Sequence, residues 1–355
     1  MIIHIVGNRP QFIKLAPLYH ELEKRGYTQE ILHSGQHYDA NLSDLFFEEL
    51  DIKCPFENLQ VGSGTHAETT AKVMMGTERI LLDNRPELVI VYGDTDTTLG
   101  ASLAASKLGI PIAHVEGGTR TYSNNNPEEQ NRIVTDHLAT ILFCSDNNSV
   151  ECARKEGLMS KAHCTGDIMY DTFLQVQSKI STANQEDIVL MTWHRQENTC
   201  SKDRMLSIIN FVSKLEGHII CPLHPRTEKC LKQFELWDSF TNLTNVDVIK
   251  PVGYVEMCNL MNRARLILTD SGGLSKESSF AGAKCLFMLD LNIWQDLLDC
   301  NWIQKVNPED FDSVNVAIEF AKKAKRIMRK DCPKYYGDGH AAKKMVDLLQ
   351  NCNMI

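Results

Sequence analysis

Asp94, Glu116 and the adjacent Glu128 and Glu129 stand together in one stretch of the chain, VIVYGDTDTTLGASLAASKLGIPIAHVEGGTRTYSNNNPEEQNR (89–132). Asp94 and Glu116 each close a short apolar run that reads as a buried strand. Carboxylates at the C-terminal ends of parallel strands point into the crevice where open α/β sheets bind ligands. A charge beside the core is costly unless it is paired or used. The stretch therefore predicts half of an active site.

Cations that could meet an anionic ligand recur at other predicted strand ends. The turn GNRPQFIKLAP (7–17) sets Arg9 and Lys14 near the start of a helix, whose N-terminal amides favour an anion. The competing reading is a surface Arg and Lys on an amphipathic helix. TWHRQENT (192–199) concentrates His194, Arg195 and Glu197 after a buried run. A histidine there can serve as a general acid or bind phosphate, or the segment is simply a helix start. PLHPRT (222–227) repeats the pattern with His224 and Arg226. LTDSGGLSKES (268–278) is the strongest phosphate candidate, because Gly272 and Gly273 let backbone N–H groups approach an anion at a helix N-terminus. The alternative is a glycine turn with a Ser or Asp N-cap. No residue set has metal-ligand spacing: His33 and His37 are split by a Ser34–Gly35 turn, and neither HExxH nor GxSxG occurs.

Positioning these residues requires alternating strands and helices. Apolar runs at 2–6, 87–92, 110–115 and 139–144 alternate with amphipathic stretches such as 11–24 and 97–108. A second series then begins, at 187–193, 217–223, 246–249, 265–269 and 284–289. This alternation predicts an α/β protein with parallel sheets covered by helices, arranged as two Rossmann-like domains facing each other across a cleft. The expected domains are 1–170 and 171–335, with 336–355 forming a final helix that returns to the N-terminal domain. Segment 314–330 reads as one long Lys-rich helix.

Composition narrows the class. A hydrophobic fraction of 43% and a net charge of −9 describe a globular protein whose main partner is neither nucleic acid nor an anionic membrane. The twelve cysteines are scattered without CxxC pairs, which predicts reduced thiols in a cytoplasmic protein. No apolar run approaches the roughly 18 residues of a membrane span, and no signal peptide precedes the first apolar run.

The ordered motifs GNRPQFIKLAP, SGQHYD (34–39), YGDTDTTLG, HVEGGTR, NPEEQNR, GDIMYD (166–171), HRQEN, HPR, DSGG and YGDGHAA resemble the non-hydrolysing UDP-N-acetylglucosamine 2-epimerases over essentially the whole chain. The resemblance implies the GT-B fold, a homodimer, and interconversion of UDP-GlcNAc and UDP-ManNAc in supplying surface polysaccharide precursors. It implies elimination of UDP to a 2-acetamidoglucal and re-addition with the proton delivered from the opposite face, with no metal or redox cofactor. By motif, Asp94, Glu116 and Glu128 correspond to the acid/base carboxylates, and Arg9, Lys14 and His194 to diphosphate ligands or leaving-group stabilisers. Arg120, Arg195, Tyr254, Ser271, Gly272, Gly273 and Glu277 correspond to substrate or nucleotide contacts. Gln36, His37, Lys72 and His224 fall at a possible allosteric site, although Lys72 stands where arginine is common.

The departures lie in the C-terminal half. Leu289, Asn292 and Ile293 replace the family's usual Arg, Thr and Glu, and Ser275 and Lys276 replace Gln and Glu. They keep open a modified UDP-HexNAc substrate, such as a deoxy or uronate sugar. Other readings are a hydrolysing relative that releases UDP and a free N-acetylmannosamine-type sugar, a GT-B glycosyltransferase, or a nucleotide-sugar sensor.

Overall fold

The structure, a computed structural model, describes residues 1–36, 47–123, 126–180, 188–292 and 294–355. His37 and Ile293 lie outside the described residues. The chain forms two compact units, Met1–Gln175 with Lys334–Ile355, and Val176–Pro333. Each unit is built on its own all-parallel sheet, as in the GT-B class.

The sheet of the first unit contains β1 (Ile2–Val6), β2 (Gln29–His33), β3 (Glu57–Asn58), β4 (Leu88–Tyr92), β5 (Ile112–Val115), β6 (Ile141–Cys144) and β7 (Ala162–Cys164), in the order β3-β2-β1-β4-β5-β6-β7. Its principal helices are α1 (Arg9–Lys24), α2 (His66–Asn84), α3 (Asp96–Lys107), α4 (Pro127–Leu138), α5 (Asn147–Lys155) and α6 (Ile168–Lys179), the last of which contains the division between units. The central strands are apolar on both faces, as a sheet covered by helices requires. Ile3, Ile5, Val89, Val91 and Leu142 form much of the core. Sequence also sets the helix starts. Asn8 caps α1, and Thr65 with Glu68 forms a capping box on α2.

The sheet of the second unit contains β8 (Ile188–Thr192), β9 (His218–Pro222), β10 (Val246–Ile249), β11 (Ala264–Thr269), β12 (Lys284–Phe287) and β13 (Ile303–Lys305), in the order β10-β9-β8-β11-β12-β13. Its helices include α7 (Lys202–Val212), α8 (Pro225–Gln233), α9 (Tyr254–Arg263), α10 (Gly272–Ala281) and α11 (Phe311–Lys323). Both sheets reverse strand order beside their first strand, between β1 and β4 and between β8 and β11. In open α/β sheets ligands bind at such a switch point, beyond the carboxyl ends of the strands.

The helix expected over 314–330 is shorter. It ends at Lys323, and the chain turns extended at Ala324 so that the Ile327 amide can donate to the Gly282 carbonyl at 2.8 Å. A last helix, α12 (Ala341–Asn351), belongs to the first unit. There Asp171 accepts the N-terminal amides of Ala341 and Ala342 at 3.1 and 2.9 Å, and Arg25 at the end of α1 pairs with Asp347 at 2.6 Å. All twelve cysteines are free, and burial pushes the Cys144, Cys221 and Cys285 thiols up.

Candidate functional site

In the first unit the carboxyl edge of the sheet gathers the predicted carboxylates. Asp94 follows β4 through Gly93, a residue with φ of +64° that a side chain would strain. Glu116 follows β5 directly and itself adopts φ of +69°, uncommon for a residue with a Cβ. Lys14, one turn into α1, pairs with Glu116. Lys14 is thus a buried partner of a site carboxylate, which decides against the surface-helix reading of that residue.

The adjacent glutamates of α4 have different surroundings. Glu129 is only 4% exposed and accepts from the amides of Thr121 and Tyr122, the Thr121 hydroxyl, and Arg132 at 2.8–3.0 Å. Burial pushes its carboxyl up, but these donors outweigh that and hold it below the usual carboxylate range. Glu128 is 34% exposed and lies 4.0 Å from Arg132. Arg132 also pairs with Asp94, whose side chain is 29% exposed. One buried guanidinium, one helical turn after Glu128, therefore serves Asp94, Glu128 and Glu129. Glu129 is a strut, while Asp94, Glu116 and Glu128 keep surface for a ligand.

Further residues fix this edge. Gln11 accepts from the Gly7 amide at 2.6 Å and donates to the Tyr92 carbonyl at 2.7 Å, tying the ends of β1 and β4. Gly7 must lack a side chain, because a Cβ there would meet Ser34 Oγ at 2.2 Å and Thr97 Oγ1 at 2.3 Å. Asp96 accepts from Asn131 at 3.3 Å and contacts His66 at 2.9 Å. Arg9 is half-buried at the first position of α1. Arg120, expected at the nucleotide, has instead a fully buried side chain bound to Asp136, Glu156 and the Thr119 carbonyl at 2.7–2.8 Å, so it braces the fold.

Of the possible allosteric residues, Gln36 is buried and accepts from the amide and hydroxyl of Thr97 at 3.2 and 2.7 Å. Lys72 is exposed elsewhere in this unit, on a cavity of about 480 Å³ that Glu57, Gln60, Met75 and Arg79 also line. Gln36 is not among the residues lining that cavity.

The second unit arranges its polar residues around Asp270. This carboxylate is fully buried and accepts from the amides of His194 and Arg195 and from the side chain of Asn198 at 2.9–3.1 Å. It locks the loop after β8 to the end of β11. His194 Nδ1 lies 3.3 Å from Asp270, and its ring stacks on that of His224 at 5.1 Å. Arg195 is the residue preceding a short helical turn, Gln196–Thr199. Ser271 caps α10 by accepting from Leu274 at 3.4 Å, and Gly272 and Gly273 are half-buried in its first turn. Tyr254, the first residue of α9, donates to Glu277 of α10 at 2.6 Å, both residues being buried.

Of the departing residues, Lys276 and Leu289 are buried and Asn292 is exposed. Lys276 is fully buried with its ammonium 4.1 Å from the centre of the Trp294 ring, and Trp294 donates to the Gly272 carbonyl at 2.7 Å. Asn292 accepts from Lys305 at 2.9 Å, and Leu289 is buried. Arg132, His114, Asp136 and Gln11 were not singled out by sequence reasoning. The spacing of Arg132, four residues after Glu128 on one helix face, was the available signal.

Comparison with known proteins matches the family profile described as UDP-N-acetylglucosamine 2-epimerase over residues 20–350. A UDP-N-acetylglucosamine 2-epimerase homolog of Methanococcus maripaludis is 38% identical, covering 99% of each chain. A UDP-2,3-diacetamido-2,3-dideoxy-D-glucuronate 2-epimerase of Pseudomonas aeruginosa is 37% identical, covering 98% of this chain and 99% of its own. The crystal structure of the Methanocaldococcus jannaschii UDP-GlcNAc 2-epimerase, in complex with UDP-GlcNAc and UDP, superposes with a TM-score of 0.90 at 34% identity, covering 99% of both chains.

Proposed function

Because the chain belongs to the UDP-N-acetylglucosamine 2-epimerase family, we propose that it inverts C2 of a UDP-N-acetylhexosamine, either UDP-GlcNAc or a modified relative. One carboxylate removes the C2 proton as the C1–O bond breaks, its electron pair leaving with UDP and a C1=C2 double bond forming. UDP then adds back at C1 while C2 receives a proton on the opposite face. This requires separate acid/base groups and a diphosphate held in place between the two steps. Asp94, Glu116 and Glu128 take the acid/base roles. Arg9, His194 and the first turn of α10 at Ser271–Gly273 hold the diphosphate, and Glu277 holds the ribose.

The observation that carries this reading is the difference between the two adjacent glutamates. Glu129 is consumed by the fold, while Glu128, Asp94 and Glu116 retain exposure beside Arg132 and Lys14. A carboxylate set left partly open next to fixed cations suits proton transfer better than packing.

The test is incubation with a panel of nucleotide sugars in heavy water, including UDP-GlcNAc and a UDP-diacetamido uronate, with C2 followed by NMR. Deuterium at C2 in a UDP-linked product, lost in Asp94→Asn and Glu116→Gln, supports the reading. No exchange with any donor refutes it, and free sugar with UDP in place of a UDP-linked epimer identifies the hydrolysing reaction. We further infer a cytoplasmic homodimer. Twelve free cysteines suit a reducing compartment, and exposed Met75 and Leu82, seven residues apart on α2, offer an apolar face to a second copy. Sedimentation equilibrium of the wild type and of Met75→Asp with Leu82→Asp tests the assembly.

A further inference from the structure

Behind the carboxylates of the first unit lies a buried polar pair that the proposed chemistry does not use. His114, in β5, and Asp136, in α4, are both fully buried. His114 Nε2 lies 2.7 Å from the Gly93 carbonyl, and Nδ1 lies 2.7 Å from Asp136 Oδ1. A carbonyl can only accept, so Nε2 carries a hydrogen. Burial pushes the Asp136 carboxyl up, but His114, Arg120 and the Gly118 amide outweigh it and hold the group low, as a carboxylate that accepts from Nδ1. This network assigns hydrogens to both ring nitrogens. The second Asp136 oxygen accepts from the Gly118 amide at 3.0 Å and from Arg120 at 2.7 Å.

These bonds reach every segment that carries a site carboxylate. Gly93 immediately precedes Asp94. Gly117 and Gly118 immediately follow Glu116, whose left-handed backbone needs support from its surroundings. Asp136 stands on the same helix as Glu128 and Arg132. The packing leaves no slack, since a Cβ on Gly117 would sit 3.0 Å from Asp136 Oδ1 and one on Gly118 would sit 2.4 Å from the Ser149 carbonyl oxygen.

We propose that His114 and Asp136 are positioning residues that hold the Asp94 loop, the Glu116 loop and the Glu128 helix in one fixed geometry. The proposal rests on the acid/base reading of those carboxylates. Its action is geometric: neither residue touches substrate. A misplacement of about 1 Å in a reacting group costs on the order of a hundredfold in rate. Loss of this link therefore lowers kcat while leaving KM, set by the nucleotide contacts, close to the wild-type value.

The experiment compares wild type, His114→Asn, Asp136→Leu and Asp136→Asn. Asp136→Asn keeps the shape: its oxygen can still accept from Gly118 and Arg120, and its amide can donate to an Nδ1 that has lost its hydrogen. The expected result is a fall in kcat of roughly tenfold to a hundredfold in His114→Asn and Asp136→Leu, with KM within about twofold and a partial recovery in Asp136→Asn. Hydrogen exchange of the Gly117 and Gly118 amides, measured without substrate, should accelerate in the first two variants and stay slow in Asp136→Asn. Wild-type kcat in a folded His114→Asn, or a kcat loss equal to the loss of folded protein, overturns the proposal. If wild type shows no C2 exchange, the acid/base reading fails instead. The amide-exchange pattern then decides the link alone, and unchanged protection in the variants rejects it.

Discussion

Replacing each of two neighbouring glutamates by glutamine should give opposite results. Glu129 is 4% exposed and receives four donors, one of them a buried guanidinium. Glutamine keeps one acceptor oxygen and turns its own N–H groups toward at least one of those donors. Each buried donor left without a partner costs about 1–3 kcal/mol, and breaking a buried pair with arginine costs about 3–5 kcal/mol. Part of the loss is recovered because Arg132 keeps Asp94 and Glu128 nearby. The expected destabilisation of Glu129→Gln is about 3 kcal/mol. Glu128, 34% exposed and 4.0 Å from the same guanidinium, should change stability by less than about 0.5 kcal/mol when made glutamine. It should cost about a hundredfold or more in C2 exchange, as expected for losing a general acid or base. Urea titration followed by circular dichroism measures the first quantity, and deuterium incorporation per folded molecule the second. The reasoning is refuted if Glu128→Gln is as destabilising as Glu129→Gln. It is refuted equally if Glu129→Gln is neutral in stability while exchange is lost.

Other perturbations follow from the same geometry. Burial raises the Asp171 carboxyl to about 6. The folded state therefore binds this proton more tightly than the unfolded one, and stability falls as pH rises from about 4 through about 6. Asp171→Asn should remove that part of the pH dependence, and Asp171→Ala should cost about 1 kcal/mol by uncapping α12, both read from urea midpoints across pH. Tyr254→Phe removes the hydroxyl donated to buried Glu277, for a loss of about 1–3 kcal/mol in the same titration and weaker UDP binding by calorimetry. Gly7→Ala would force its methyl against Ser34 and Thr97, with an expected cost of about 1–3 kcal/mol and a lowered melting temperature.

The fold was legible where burial was complete. Runs such as IIHIV and ELVIVY coincide with β1 and β4 because central strands of a covered parallel sheet are apolar on both faces. Of the edge strands, β10 showed as VDVI, but β3, β7 and β13 were not legible. β3 has two residues and β7 and β13 have three, too few to show a period. In the site, Asp94 and Glu116 were visible as charges ending apolar runs. The bonds of Arg132 to Asp94, Asp136 to His114 and Gln11 to Tyr92 were not, because the sheet brings each pair together across a long separation in the chain. Arg120 shows the converse. Its place in a motif pointed to a ligand, yet two carboxylates at 2.7 Å occupy it, and such pairing has no local sequence signature.

The return of the chain to its first unit has a consequence for biosynthesis. Residues 334–355 complete a unit begun at residue 1, after the whole of Val176–Pro333 has been made. Domains usually fold in the order in which they leave the ribosome. Here the later unit can finish first, while the earlier one waits for Ala341, Ala342, Met345, Val346 and Leu349 to cover its exposed apolar surface. All four tryptophans, Trp193, Trp237, Trp294 and Trp302, lie in that later unit. Native tryptophan fluorescence on a stalled nascent chain would therefore arise before the acid/base edge exists. Until α12 emerges, the apolar surface that it covers in the first unit stays open to water.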